Sequence, residues 1–170
     1  MQRSCQTNPK YLYINFDLTR NYLNGTIPPQ WGSLQQVTHI SLLGNRLTGS
    51  IPKEIGNIST LRHITLEFNQ LSGTLPPELG SLSQINDIGI QASGLDGPIP
   101  QEIASLTKMT DLRISDLNGM EATFPLRNSM TNMNRLILRS CNITGPLPNY
   151  VANLTKLKTL LVDLYLFPLV

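Results

Sequence analysis

The sequence predicts an α/β repeat fold, a solenoid of stacked coils with short parallel strands on its concave face and loops and 3-10 turns on its convex face. Apolar residues return at a 24-residue interval along most of the 170 residues. Within each interval a short stretch alternates apolar and polar residues, as a strand with one buried face does. A single unit of this length cannot bury its apolar side chains alone, so neighbouring units must stack.

The unit at residues 37–60 shows the pattern most clearly when its residues are numbered as places 1 to 24. Apolar residues stand at places 1, 4, 6, 11, 15, 19 and 22, asparagine at place 9, glycine at places 13 and 20, and proline at place 16. In order, these residues are Val37, Ile40, Leu42, Asn45, Leu47, Gly49, Ile51, Pro52, Ile55, Gly56 and Ile58.

The polar and special residues of this unit each have a predicted role. The asparagine at place 9 can bond buried backbone groups of adjacent coils. The glycines at places 13 and 20 permit tight bends with positive φ. The proline at place 16 fixes an extended bend and removes a donor that the coil does not need.

The chain divides into three parts on this pattern. Residues 1–12 match no unit, residues 13–156 form six units, and residues 157–170 begin a seventh unit without its glycine and loop. The first three units are nearly ideal, and the fifth, residues 109–132, departs most. The place-9 asparagines stop after the third unit, which predicts a less rigid second half; the place-9 residues are Asn21, Asn45, Asn69, Ser93, Leu117 and Cys141.

Composition and charge narrow the function. Charged residues are 14% of the chain, the formal net charge is +2 and aromatic residues are 6%, so neither a basic nor a base-stacking surface for nucleic acid is expected. The polar amino end lacks the apolar run of a secretory signal, and no apolar stretch reaches the ~20 residues of a membrane span. From these residues alone we expect neither secretion nor membrane crossing.

The two cysteines, Cys5 and Cys141, are expected to be free thiols. Cys141 stands five coils beyond the first unit, and at ~4.8 Å per strand step the two sulfurs would be on the order of 25 Å apart. A disulfide cannot span that distance.

The pattern LxxLxLxxNxLxGxIPxxLGxL resembles the plant-type leucine-rich repeat over about residues 13–164. The stretches RISDLNGMEATFP and LILRSCNITGPLP resemble more particularly the ectodomains of a plant receptor-like kinase subfamily. In that subfamily the repeats precede a malectin-like domain, one membrane span and a cytoplasmic serine/threonine kinase.

This resemblance implies a location at the extracellular face of the plasma membrane. It also implies a protein or peptide ligand, with a co-receptor as a further partner. Kinase motifs and the paired-cysteine caps usual in this repeat class are absent. We therefore expect a fragment or short product of such a receptor, with no enzymatic activity and no cofactor.

Two alternatives remain open. Polygalacturonase inhibitors, secreted plant defence proteins, share the repeat type. The chain could also be a truncated product with a structural or interfering role, or none.

The concave face is the predicted binding surface, formed by places 2, 3, 5, 7 and 8 of each strand. Stacking aligns these places into columns. The place-3 column reads Asn15, His39, His63, Asp87, Asp111, Arg135, Thr159; the place-5 column reads Asp17, Ser41, Thr65, Gly89, Arg113, Ile137, Leu161; the place-7 column reads Thr19, Leu43, Glu67, Gln91, Ser115, Arg139, Asp163.

His39 and His63 should be neighbours, with Asp87 one strand further. They could form a weak metal site or a pH-sensitive contact. Two histidines and an aspartate on a flat sheet do not close a tetrahedron, however, so we assign no metal and keep a solvated polar face as the alternative.

Arg113, Arg135 and Arg139 lie on two adjacent strands, where their side chains could converge to bind a carboxylate or phosphate. Asp111 and Asp116 could instead neutralise them in a solvated charge network. Some related receptors hold a ligand carboxylate with two arginines one residue apart on one strand. Here Ile137 precedes Arg139 at that position, so that pattern fails.

Four Asn-x-Ser/Thr sequons occur, and each is expected on the loop side of its coil, where a glycan could be accepted. Their asparagines are Asn24, Asn57, Asn142 and Asn153.

Overall fold

The computed structural model describes residues 14–125 and 129–165, and within them it shows a solenoid of stacked coils. Seven strands form one parallel sheet in the order β1-β3-β5-β7-β8-β9-β10, and three short strands form a second in the order β2-β4-β6. The strands are β1 Ile14–Asp17, β2 Asn24–Gly25, β3 Val37–Ser41, β4 Arg46–Gly49, β5 His63–Thr65, β6 Gln70–Leu71, β7 Asp87–Ile90, β8 Asp111–Ser115, β9 Arg135–Thr144 and β10 Thr159–Tyr165.

The predicted 24-residue register is confirmed by the strand pairing. His39 pairs with His63, His63 with Asp87, and Asp87 with Asp111. Each coil therefore places equivalent residues side by side on one sheet.

The core consists of the aliphatic columns. Ile40, Ile64, Ile88, Leu112 and Leu136 occupy place 4 of successive coils, and each is at most 2% exposed. Burying such side chains contributes roughly 1.5–3 kcal/mol each relative to exposure, and each coil supplies the surface that covers the next. The predicted leucine-rich repeat solenoid is confirmed in this arrangement.

The convex side is built from short 3-10 helices, each following a proline in extended conformation. Their bounds are Pro29–Ser33, Lys53–Asn57, Pro77–Ser81, Gln101–Ser105 and Asn149–Asn153. Among the described residues, no helix is both long and apolar enough to cross a lipid bilayer.

The predicted role of the place-20 glycines was wrong. Gly49 at place 13 has a φ of +73°, as expected, but Gly56 at place 20 has no positive φ. A Cβ on Gly56 would overlap the carbonyl oxygen of Glu78 in the next coil. Place 20 therefore requires glycine because the 3-10 helices of adjacent coils approach closely.

Left-handed backbone occurs instead at place 8, where the chain leaves the strand. Six successive place-8 residues have φ between +47° and +69°: Arg20, Gly44, Phe68, Ala92, Asp116 and Ser140. Because only one of them is glycine, the sequence did not reveal this bend. It is a property of the coil rather than of one residue type.

The predicted asparagine ladder is confirmed at Asn45 and Asn69, in the second and third coils, whereas Asn21 in the first coil donates to the carbonyls of Leu18 and Thr19 in its own coil. The side-chain oxygen of Asn45 accepts a hydrogen bond from the N–H of Leu23 at 3.1 Å, and its amide donates to the carbonyls of Leu18 and Leu42 at 2.9 Å. Asn69 makes the equivalent bonds one coil further along. Each asparagine thus satisfies backbone groups of two coils.

The ladder changes where asparagine is lost. Ser93 is fully buried and its hydroxyl has no hydrogen-bond partner, so the N–H of Leu71 donates to the Ser93 carbonyl instead, at 2.7 Å. The Cys141 thiol lies 3.5 Å from the Ile114 carbonyl oxygen, and burial raises the pKa of that thiol to about 12. Cys141 is a free, un-ionised thiol; Cys5 lies outside the described residues, so its expected separation from Cys141 remains a prediction.

Several side chains expected to point inward are partly exposed. Leu23, Leu147 and Leu160 are 38%, 40% and 37% exposed, because none of them has a described coil covering both sides. Conversely, Thr38 at place 2 is 3% exposed, although this place was assigned to the open concave face. Its hydroxyl bonds Asn15 of the preceding strand, which holds it against the sheet.

Replacing Leu66 by alanine should cost about 2–5 kcal/mol, because Leu66 is 1% exposed and the cavity would open between two coils. Chemical denaturation of the two proteins measures this loss. Leu161→Ala is the matched control, since Leu161 is 49% exposed and its loss should stay within about 0.5 kcal/mol. Equal losses at the two positions would contradict the stacking described above.

Asn69→Ala should destabilise the fold by about 1–3 kcal/mol, because the Leu47 N–H and the carbonyls of Leu42, Leu66 and Glu67 would lose their partner. Asn118→Ala is the control: Asn118 lies one place beyond the ladder and is exposed, so its loss should be smaller. Denaturant midpoints decide between the two sites, and a larger loss at Asn118 would show that the ladder does not stabilise the coils.

Candidate functional site

The concave sheet brings the predicted site residues together in one row. Five adjacent strands place the side chains of the place-3 column next to one another, because each pair is directly in register. The row contains His39, His63, Asp87, Asp111 and Arg135. Residues that are remote in sequence therefore form a continuous polar strip across the face.

The two histidines lie at the amino-terminal part of this strip with their rings stacked. The ring centroids are 4.3 Å apart and the ring planes differ by 11°. Nδ1 of His39 is 2.8 Å from Oγ1 of Thr38, and Nδ1 of His63 is 3.9 Å from a carboxylate oxygen of Asp87. Burial lowers the pKa of His39, and the nearby His63 and Arg62 lower it further.

Arg113 is the centre of an ion-pair network. Its guanidinium is 3.1 Å from Asp87, 3.2 Å from Asp111 and 3.4 Å from Glu67. Burial alone would lower the pKa of Arg113, but the three carboxylates together raise it. Arg113 is therefore a neutralised cation and not a free anion receptor.

The three arginines do not form the single cluster that their positions allowed. Arg135 pairs with Asp111 at 3.2 Å, which it shares with Arg113, whereas Arg139 lies 3.7 Å from Asp163 on β10. Asp111 thus neutralises two arginines, as the alternative interpretation allowed. Asp116 does not take part; it accepts a hydrogen bond from Ser115.

Two residues of this network were missed in the sequence. The Glu67 side chain is 9% exposed, and its Oε1 accepts no hydrogen bond. A Cβ on Gly89 would lie 2.7 Å from that oxygen and 3.0 Å from Nη2 of Arg113. The missing side chain at Gly89 leaves room for Glu67 and Arg113 to meet across β7. The sequence signal that could have revealed this contact is Gly89 itself, the glycine among the place-5 residues.

Two carboxylates of this network, those of Glu67 and Asp111, have raised pKa values. Burial raises the pKa of Glu67 by more than the charge of Arg113 lowers it, and the charges of Asp87 and Asp111 add to the increase. Burial also raises the pKa of Asp111, with a further increase from Asp87. Within residues 14–125 and 129–165, no three His, Cys, Asp or Glu side chains are arranged to hold a metal ion.

The four sequon asparagines occupy different environments. Asn57 and Asn153 end convex 3-10 helices, Asn24 lies in β2 of the second sheet, and Asn142 lies near the end of β9. The side-chain amide of Asn142 donates to the carbonyl of Gly119 at 3.0 Å. The Asn142 amide is therefore part of the fold, whereas Asn24, Asn57 and Asn153 are exposed.

Comparison with known proteins identifies the repeats. The model of the Leucine Rich Repeat family matches residues 36–58, 60–82 and 132–154. A stretch of 28 residues is 68% identical to a probable leucine-rich repeat receptor-like serine/threonine-protein kinase of Arabidopsis thaliana; it covers 16% of this chain and 3% of that protein.

Solved structures share the fold over most of the chain. The structure of a TDR receptor is 28% identical with a TM-score of 0.82, covering 89% of this chain and 26% of the receptor chain. The Arabidopsis receptor kinase HAESA, in complex with the peptide hormone IDA and the co-receptor SERK1, is 25% identical with a TM-score of 0.79, covering 90% and 26%. The BIR2 ectodomain from Arabidopsis thaliana is 27% identical with a TM-score of 0.60, covering 64% and 57%. The chain thus spans about a quarter of the two receptor chains.

Glu67→Gln should change how stability depends on pH. The pKa of Glu67 is raised in the folded chain above its unperturbed value of about 4.5. Above that pH the folded state therefore holds more bound protons than the unfolded state, so the free energy of unfolding falls as pH rises. The free energy of unfolding of the natural chain, relative to that of Glu67→Gln, should therefore decrease as pH rises through this window.

Denaturation across pH 4 to 7, about the range in which carboxyl groups with raised pKa values ionise, measures the difference. Glu78→Gln is the control, because Glu78 is exposed on the convex side. A difference that grows with pH would contradict the assigned environment of Glu67.

Proposed function

We propose that this leucine-rich repeat chain is part of a plant receptor-like kinase ectodomain and that its concave face recognises a peptide or protein ligand. In this proposal the chain supplies part of the receptor's extracellular recognition surface, and the other activities of the receptor belong to its remaining domains. No catalytic role is assigned to the chain itself.

The observation that carries the proposal is the exposed polar strip on a rigid sheet. His63, Asp87 and Arg135 have side chains that are 41%, 25% and 48% exposed, although each stands on a strand whose opposite face is fully buried. Such a surface presents fixed hydrogen-bonding groups to an incoming chain without a large ordering cost.

The comparisons support a peptide or protein as the ligand. HAESA has a similar coil arrangement, and its structure is a complex with a peptide hormone and a co-receptor. A co-receptor is accordingly proposed as a further partner of the receptor to which this chain belongs. The proposed ligand-binding residues are His39, His63, Asp87, Asp111, Arg113, Arg135 and Arg139, and the proposed glycan acceptors are Asn24, Asn57 and Asn153.

The finer assignment is to the receptor subfamily with a malectin-like domain between the repeats and the membrane. It rests on the stretches RISDLNGMEATFP and LILRSCNITGPLP, and the curated relative over 28 residues is a receptor-like kinase. In such a protein the chain would lie at the extracellular face of the plasma membrane, as a fragment of a longer polypeptide.

A peptide screen tests the recognition function. The purified chain is immobilised and exposed to a synthetic library of secreted plant peptides. Each peptide that binds is then measured against a concave variant, Arg135→Ala, and a convex control, Lys53→Ala. Ligands of the concave face should lose at least about tenfold in affinity with the first variant, as for the loss of one charged contact, and none with the second.

Other outcomes overturn the proposal. Peptides that bind equally to both variants would place recognition away from the concave face. Inhibition of a fungal polygalacturonase by the chain, without peptide binding, would favour the defence-inhibitor alternative. No binding and no inhibition would favour a truncated product without an independent role.

A further inference from the structure

We infer that the amino-terminal half of the concave face, at His39, His63 and Asp87, receives a guanidinium or ammonium group of the peptide ligand and releases it in mildly acidic solution. The inference rests on the proposed recognition function and names the ligand chemistry of that face. The inference depends on which ring nitrogens of His39 and His63 carry protons.

The hydrogen-bond chain at Thr38 assigns the tautomer of His39. A hydroxyl has a single proton, and that of Thr38 is donated to the side-chain oxygen of Asn15 at 3.2 Å. The Thr38 oxygen must then accept from Nδ1 of His39, 2.8 Å away. Nδ1 of His39 therefore carries the proton in the neutral ring, and Nε2 keeps a lone pair.

The carboxylate of Asp87 assigns the tautomer of His63 in the same way. Nδ1 of His63 is 3.9 Å from Oδ2 of Asp87, and a negative charge favours the proton on the nitrogen that faces it. Nε2 of His63 is again left as an acceptor. Because the two rings are stacked and nearly parallel, the acceptors of His39 and His63 lie on adjacent strands of one face.

Asp87 adds a third acceptor to this group. Its Oδ1 accepts a hydrogen bond from Arg113 at 3.1 Å, and its Oδ2 accepts a longer one from the same nitrogen at 3.5 Å and is 3.9 Å from His63. With the side chain 25% exposed, Oδ2 retains capacity for a further donor. Three acceptors thus lie on three successive strands.

A ligand group that donates hydrogen bonds and accepts none is complementary to these three acceptors. Ammonium and guanidinium groups carry several N–H donors and no lone pairs, and they are attracted by the charge of Asp87. A carboxylate would meet lone pairs and a negative charge. The nearby Arg113 does not reverse this preference, because Glu67, Asp87 and Asp111 already neutralise it.

The charges around the two histidines set the response to pH. Asp17 lies on β1, Arg62 precedes His63 and contributes positive charge at His39, and Glu67 follows on the same coil as His63. Protonating the His39 ring converts its Nε2 acceptor into a donor and adds a positive charge beside the ligand cation. Stacked rings also repel each other when both are charged. Because burial, His63 and Arg62 lower the pKa of His39, the affinity for a cation should fall as pH drops below the ordinary histidine value of about 6.5.

Proton NMR of the full chain tests the inference with defined probes. The probe is acetyl-Gly-Arg-Gly-amide, and its citrulline and glutamate counterparts are the neutral and acidic controls. Titrations are followed on the ring protons of His39 and His63 at about pH 7.5 and about pH 5.5, on either side of the ordinary histidine pKa. Asp87→Asn is the test variant. Asp163→Asn is the matched control, a carboxylate at the opposite end of the sheet.

The arginine probe should shift both histidine signals saturably at the higher pH, and its affinity should fall severalfold at the lower pH, where His39 with its lowered pKa is partly protonated. The citrulline probe and the Asp87→Asn variant should each weaken binding by a similar factor, and Asp163→Asn should leave it unchanged. Tighter binding of the glutamate probe, binding independent of pH, or no shift with the arginine probe would overturn the inference.

Different results would refute the cation-binding inference and the recognition function. Peptides from the screen that bind the concave face without any basic residue would overturn this inference and leave the recognition function standing. A screen without concave-face ligands would remove the recognition function itself.

Discussion

The backbone pairing between coils is the constraint on which the rest of the structure depends. The N–H of place 6 in one coil donates to the carbonyl of place 5 in the next, as in the bonds from Leu18 to Ser41, Leu42 to Thr65 and Leu66 to Gly89, at 2.8 to 2.9 Å. This pairing holds the register constant from coil to coil. A shift of one residue would turn the buried aliphatic column into the solvent and the polar columns into the core.

The same register creates the candidate site. Glu67 and Arg113 are 46 positions apart in the sequence, and they meet because β7 between them carries Gly89 at the crossing point. The network is largely neutral within itself. Recognition is therefore expected to depend on hydrogen-bonding direction and on the exposed edges of the network, at the histidine pair and at Arg135, rather than on a strong net field.

The fold could be predicted in detail because one short pattern recurs. The columns, their neighbours and the asparagine ladder all follow from a constant interval and from strand geometry. The place-20 glycines were misinterpreted, because a close approach between 3-10 helices and a left-handed bend both select glycine. The left-handed bend at place 8 was missed, because residues as different as Phe68 and Asp116 occupy it.

The candidate site was predicted only in outline. The place-3 row was placed correctly, but register alone does not say where long side chains end. Arg113 turns toward Glu67 and Asp87 rather than toward Arg139, and this choice depends on the space above Gly89 and on the burial of Glu67. The stacking of His39 on His63 likewise depends on Thr38, whose hydroxyl fixes one ring.

Residue-resolved amide hydrogen exchange tests the central claim, that one constant register holds the coils together. The account predicts slow exchange at Leu42 and Leu66, recurring at the same place in later coils, because these amides donate to the adjacent coil. The amide of Met120, a residue that is 80% exposed and lies between β8 and β9, should exchange faster. Protection that does not recur at the 24-residue interval, or its absence at Leu42 and Leu66 in the folded chain, would contradict the account.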